Sequence, residues 1–278
     1  MDATGYFATA RERYRMRMRR LDGQQPPWTE DAVLQKFRFC NVHREHDKTT
    51  EWFRNEVRSK LSGYQVVQAT LIFRWFNRIE TGEIIKDLLL QPKWDTEAAR
   101  TRLEGVQPVV TGAYMIRTEI GMSKLDGVLY AVEKGLHKLP KIVDGWAGQP
   151  LTIQQATLDL QGIYGIGPFL AYEITTDLRW TDVLNKASDI LTWTNIGPGA
   201  AKGLGRLFGD EWRWNRGRED HQQEMVKVAQ QLLEMSRNEP HWLQTWEPWE
   251  MREVEHWACE YQKWCQGQEG KNLKRRYR

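Results

Sequence analysis

The sequence predicts an all-α protein. Apolar residues recur three and four apart over long stretches, and capping residues, prolines and glycines bound those stretches. No segment alternates apolar and polar residues with the period of a strand, and nothing repeats at a fixed long interval. With 278 residues the chain can bury a sizeable core, and we expect one catalytic domain, 1–278, of two helical lobes.

Residues 3–21 form the first predicted helix, with Tyr6, Phe7, Tyr14, Met16 and Leu21 along it, stopped by the run from Gly23 to Pro27. Thr29 is the expected N-cap of a second helix carrying Val33, Leu34, Phe37 and Val42, with Glu30 and Asp31 in its first turn. The polar segment RFCNVHREHD, 38–47, then sets Arg38, Asn41, Arg44 and Asp47 every third residue. On a helix that row stays within about a third of the circumference. Arginine makes planar bidentate contacts to phosphate, and Asn and Asp can hold the arginines or a substrate amine. A surface ladder of salt bridges would use the same residues.

Thr49 or Thr50 caps the next helix, through Trp52, Phe53, Val57 and Leu61. A strongly apolar helix, 66–79, is interrupted by Arg74, Asn77 and Thr81 on one face. Buried Arg and Asn need partners, either a substrate or interhelix hydrogen bonds. Residues 83–90, 95–103 and 125–139 continue the helical pattern. Between them GAYMI, 112–116, is expected as a short helix whose Tyr114 points into a cleft.

The stretch LQGIYGIGPFLAYEITTDL, 160–178, places Gly165 and Gly167 between two helical runs, with Pro168 suited to a first helical position. Such a turn brings backbone N–H groups to an anion, as in a helix-hairpin-helix gripping a DNA phosphate, here about 152–179. An ordinary helix–helix turn has the same residues. Trp180 to Asn185 is a connector, and Ser188 or Asp189 begins the next element. A second glycine-rich turn, with Gly197, Gly199 and Lys202, offers another anion-binding helix start. An amphipathic helix, 219–235, and a last helix, 249–264, follow, the latter carrying Glu255, His256, Glu260 and Lys263. A basic tail, 271–278, ends the sequence.

Net charge is only +3, but Arg11 to Arg20 and Lys271 to Arg278 concentrate positive charge where it could flank a polyanion. Fourteen tryptophans serve as core, groove lining or base-stacking surfaces. Mean hydropathy is −0.68, and no apolar run approaches the ~20 residues of a membrane span. The N-terminus lacks the apolar segment of a signal peptide. Three cysteines without a C-x-x-C pattern suggest a reducing compartment, with no structural zinc and no iron–sulfur cluster.

The segments NVHREHD, FRWFNRIET, GAY, GIGPFLAYEITTDL, IGPGAAKGL and EHWACEYQKW, with the closing RRYR, resemble the alpha-glutamyl/putrescinyl thymine pyrophosphorylase family. These are amino acid or amine:DNA transferases of bacteriophages, and the helical domain of 5-hydroxymethyluracil DNA kinases is similar too. The resemblance spans nearly the whole chain in order. It implies a DNA-glycosylase-like helical fold with a helix-hairpin-helix, acting in the cytoplasm of an infected bacterial host. The implied partners are DNA containing modified thymine and an amino acid or polyamine co-substrate, with no membrane and a monomeric protein.

The implied reaction replaces pyrophosphate on 5-pyrophosphoryloxymethyl-uracil in DNA with an amine. Arg38, Arg44 and Arg74 would neutralise the leaving pyrophosphate. Asn41, Asn77, Tyr114 and Lys263 complete the expected substrate-binding set. Comparison with helix-hairpin-helix glycosylases singles out Asp189, 22 residues after Gly167 (189 − 167), over Asp182 and Asp177. Asp189 would stabilise charge at the reacting carbon or take the amine's proton, with Asp47, Glu255 and His256 as alternative bases. The position after the glycines is Pro168-Phe169 rather than lysine, which argues against base excision through a Schiff base. No metal-ligand set shows in the sequence, although a divalent metal on pyrophosphate is compatible with the chemistry. A glycosylase of modified thymine and a non-catalytic DNA-binding protein are the alternatives.

Overall fold

A computed structural model describes residues 1–278 apart from 115, 117, 118, 120, 210–212, 215–217, 275 and 278. Among the described residues it is helical, with one isolated antiparallel bridge, Phe37 to Arg276. The chain divides into two compact units: residues 1–47 with 190–278, and residues 48–189. Among the described residues no helix is long and apolar enough to cross a membrane.

The first unit contains α1 (Thr4–Leu21), α2 (Ala32–Lys36), α10 (Pro198–Gly205), α11 (Glu219–Ser236) and α12 (Met251–Gln268). Its core joins Tyr6, Phe7 and Ala10 of α1 to Leu204 of α10, Leu232 of α11 and Trp257 of α12. The polar tips of Tyr6 and Trp257 reach backbone: Tyr6 Oη donates to the Val254 carbonyl at 2.9 Å and Trp257 Nε1 to the Tyr6 carbonyl at 3.0 Å. Helices α10 and α12 meet through glycine. A Cβ on Gly203 would fall 1.8 Å from the Ala258 carbonyl oxygen, and one on Gly199 2.4 Å from Cys259 Sγ. The α12 start carries a reciprocal capping box between Glu250 and Glu253.

The second unit contains α3 (Lys48–Glu56), α4 (Gly63–Phe76), α5 (Ile79–Leu89), α6 (Thr96–Leu103), α7 (Lys124–Trp146), α8 (Ile153–Leu160) and α9 (Pro168–Leu178). Every α4 residue from Val66 to Phe76 is buried, so neighbours cover this mostly apolar helix all round, its polar Gln68, Thr70 and Arg74 included. Phe73 of α4 stacks flat on Phe53 of α3, ring centres 4.6 Å apart.

Several sequence expectations change. Asp31, not Thr29, caps α2, accepting from Leu34 N–H at 2.8 Å, while Thr29 Oγ1 accepts from Asp31 N–H. That helix stops at Lys36. Arg38, Asn41, Arg44 and Asp47 therefore share no helix, and only Arg44–His46 make a single 3-10 turn. Asn77 ends α4 in the left-handed conformation (φ 43°) that asparagine tolerates, so Thr81 belongs to the next helix. Residues 112–114 are a loop rather than the start of a helix, and Met115 lies outside the described residues, as do Arg275 and Arg278 of the tail. Ser188 and Asp189 start no helix.

Candidate functional site

In the first unit the segment from Phe39 to Asp47, with its single 3-10 turn, is folded onto α12 by side-chain-to-backbone bonds. Asn41 N–H donates to Asp47 Oδ1 at 2.9 Å and Asn41 Nδ2 to the His46 carbonyl at 2.6 Å. Cys40 N–H donates to Glu260 Oε2 at 2.9 Å. Arg13, buried on α1, reaches the Phe39 carbonyl and Asn41 Oδ1, the latter at 2.7 Å. Polar residues that a helical row would have aligned are thus gathered by a turn.

Against this turn α12 sets His256, whose Nε2 is 3.1 Å from the Asn41 carbonyl oxygen and 3.6 Å from Asp47 Oδ2. With Nε2–H directed at that carbonyl, Nδ1 is the basic nitrogen. Burial raises the Asp47 carboxyl, opposed by the Asn41 N–H and by the charges of Arg44 and Arg13. Lys263, two turns along α12, lies 3.3 Å from Glu260 Oε2, donates to the Arg38 carbonyl and sits over the Phe39 ring. The structure therefore brings together Asn41, Asp47 and His256, with buried Arg44 beside Asp47. Glu255 is engaged by Arg252 Nη1 at 2.8 Å. The exposed Arg38 places its guanidinium over the Tyr277 ring. Sequence reasoning counted Arg13 only within the basic run Arg11 to Arg20, and nothing in that run marks it as the arginine that α1 buries.

In the second unit Arg74 forks onto Asp177, Nε and Nη2 both donating to its carboxylate. Its Nη1 donates to Asn77 Oδ1 at 2.8 Å, Nη2 also reaches Thr50 Oγ1, and Arg58 Nη1 lies 3.4 Å from Asp177 Oδ1. Arg74 is 1% exposed and Asp177 fully buried. Arg74 and Asn77, which as buried polar residues need partners, bond each other, and Arg74 also holds an aspartate that spacing had ranked low. Glu173, one turn earlier on α9, accepts from Tyr114 Oη, and the Tyr114 ring meets Phe169 edge-on. Phe169, Glu173 and Asp177 fall four apart on one face of α9, from an exposed ring to a buried carboxylate.

The glycines separate by environment. Gly165 takes a positive φ of 74°, and a Cβ there would sit 2.8 Å from the Trp75 ring, so packing already accounts for it. Gly167 caps α9 with nothing within 4 Å of an added Cβ, and the flanking Tyr164 and Phe169 are exposed. Gly199 is accounted for by α12, a Cβ on Gly197 would lie 3.3 Å from Glu255 Oε1, and Lys202 is exposed. Asp189 is a correction. Its Oδ1 accepts from Ile153 N–H at 2.7 Å and its Oδ2 from Gln154 N–H at 2.9 Å. Helix-start amides have no intrahelical partner and favour a carboxylate, so Asp189 anchors α8 rather than standing open for chemistry.

The helical domain of 5-hmdU DNA kinases matches this chain over residues 3–272. The chain belongs to that family. Residues of the Asp47–His256 pair and of the Arg74–Asp177 fork both fall within the matched part of this helical domain. The 5-hmdU DNA kinase of Bacillus phage SP10 is 25% identical to it over 283 residues, covering 93% of this chain and 44% of the relative. The helical-domain chain thus spans less than half the length of that phage protein. No solved structure matches it.

Proposed function

We propose that this helical-domain protein is a thymine-hypermodification transferase of infected bacterial cells. It replaces pyrophosphate on 5-pyrophosphoryloxymethyl-uracil in DNA with an amino acid or amine. Membership of the helical-domain family and its phage relative support the substrate class. The observation carrying the chemistry is the Asp47–His256 pair, held by Asn41 with Arg44 alongside.

In this reading His256 takes a proton from the incoming ammonium, and Asp47 steadies the imidazolium that results. The amine nitrogen bonds to the exocyclic methylene carbon while the carbon–oxygen bond to pyrophosphate breaks, its electron pair leaving with pyrophosphate. Arg44 and Arg38 are the cations assigned to that leaving group, since Arg74 is already committed to Asp177. Gly167 at the α9 start, with exposed Tyr164 and Phe169, is assigned to duplex contact and support of an unstacked base.

The test is incubation of pyrophosphorylated DNA with a mixture of amines and amino acids, followed by nucleoside mass spectrometry and pyrophosphate assay. One aminated thymidine, formed with stoichiometric pyrophosphate, is expected. Absence of any adduct on verified substrate, or abasic sites instead, overturns the proposal.

A further inference from the structure

Outside the Asp47–His256 pair, His43, His46 and Glu247 converge in the first unit. The 3-10 turn explains the two histidines. Three residues complete such a turn, so positions three apart eclipse. His46 N–H closes the turn on the His43 carbonyl at 3.1 Å, and the imidazole centres lie 5.2 Å apart. Glu247 comes from the far end of the sequence. Trp242 Nε1 holds its backbone carbonyl at 2.9 Å, and its carboxylate lies 2.8 Å from His46 Nε2. One ligand atom of each residue lies within 4.8 Å of the others.

A separate observation points to a missing partner. His43 is 3% exposed, yet among the described residues neither ring nitrogen finds a partner at hydrogen-bond geometry, although the Glu247 and Pro248 backbone runs alongside. His46 Nδ1 is likewise buried without a hydrogen-bond partner among the described residues. Such groups have given up their water without a replacement, and native interiors rarely leave them so. Tyr14 and Trp242 wall the rings in, lowering the local dielectric and strengthening any bond to a cation.

We propose that His43, His46 and Glu247 bind one divalent transition-metal ion of the Zn²⁺ type. Two imidazoles and one carboxylate suit Zn²⁺, Co²⁺ or Fe²⁺, whereas Mg²⁺ and Ca²⁺ require oxygen sets. Three protein ligands leave a position for water or a phosphate oxygen. Closing to a tetrahedral edge of about 3.3 Å needs only small side-chain rotations, for which Glu247, with 40% of its side chain exposed, has room. The cluster of Cys40, Asp47 and His256 meets the same distance limit, but Asn41 already bonds both Asp47 and His256.

The test is titration of the chelator-stripped 278-residue chain with Zn²⁺ against a chromophoric competitor, and with Co²⁺ read by visible absorption. We expect one ion per chain. His46→Gln and Glu247→Gln, both at partly exposed positions, should each weaken binding beyond the roughly 10–100-fold typical of losing an outer-shell partner, with far-UV dichroism unchanged. Cys40→Ser should bind as wild type. No stoichiometric uptake, uptake insensitive to His46→Gln and Glu247→Gln, or uptake lost in Cys40→Ser overturns the assignment.

Discussion

Replacing Gly203 with alanine probes the close approach of α10 to α12 in the first unit. The new Cβ would lie 1.8 Å from the Ala258 carbonyl oxygen, against a practical limit of 3.0 Å. The obstacle is backbone, so α10 and α12 must separate by about 1 Å, opening the packing of Leu204 and Trp257. Alanine's better helix propensity returns about 1 kcal/mol. Overpacking costs about 1–3 kcal/mol, and a backbone obstacle belongs at or above the upper end. A net loss of about 2 kcal/mol or more is therefore expected in urea denaturation followed by tryptophan fluorescence and far-UV dichroism. Gly199 provides the contrast. There the clash is with Cys259 Sγ at 2.4 Å, while Cys259 Cβ is 3.5 Å away. Gly199→Ala should destabilise alone and recover in Gly199→Ala/Cys259→Ala, a coupling measurable as a double-mutant cycle. No side-chain truncation should rescue Gly203→Ala. Wild-type stability of Gly203→Ala, or its rescue by Cys259→Ala, would refute this account of the α10–α12 contact.

Asp177→Asn, which removes the charge that Arg74 and Arg58 share in a buried site, should cost about 3–5 kcal/mol and lower the melting temperature; a loss under about 1 kcal/mol would mean the fork is exposed. Glu253 should make stability pH-dependent. Burial raises its carboxyl from 4.5 to about 8, so its contribution is fully present below pH 4.5 and is lost as pH rises through 8, by up to about 5 kcal/mol. Glu253→Gln should flatten that slope, and an unchanged slope would remove Glu253 as its source. On aminated-product assays His256→Ala should lose about 10²–10⁴-fold in kcat, with partial rescue by added imidazole and unchanged DNA affinity; loss of affinity instead would make His256 a binding residue. Gly167→Ala and Phe169→Ala should leave melting temperature unchanged but weaken duplex binding, and equal affinity for wild type and both variants would detach the α8–α9 turn from DNA.

Helix content was legible because it depends on local periodicity and caps. The patterns at 3–21, 95–103 and 219–235 lie within a few residues of α1, α6 and α11. The site was only partly legible. NVHREHD stood out as polar, yet its residues meet through a turn set by Asn41 and α12, not through a helical row. Asp177 looked like one more polar residue in a motif; its role appears only when Arg74, 103 positions away, reaches it. Asp189 illustrates the opposite error, because counting residues from a glycine cannot reveal that two amide groups of α8 hold its carboxylate.

The linear sequence by itself determined where most of the long helices form, that the protein is all-α, and which segments carry unusual charge. Those properties follow from the spacing of neighbours along one chain. Only the tertiary structure decided that Gly165 and Gly199 serve packing while Gly167 stays open, that His256 belongs with Asp47, and that Glu247 meets two histidines. Each of those pairings joins residues from separate elements, and hydrogen bonds and sterics acting over a few ångströms select them regardless of distance along the chain.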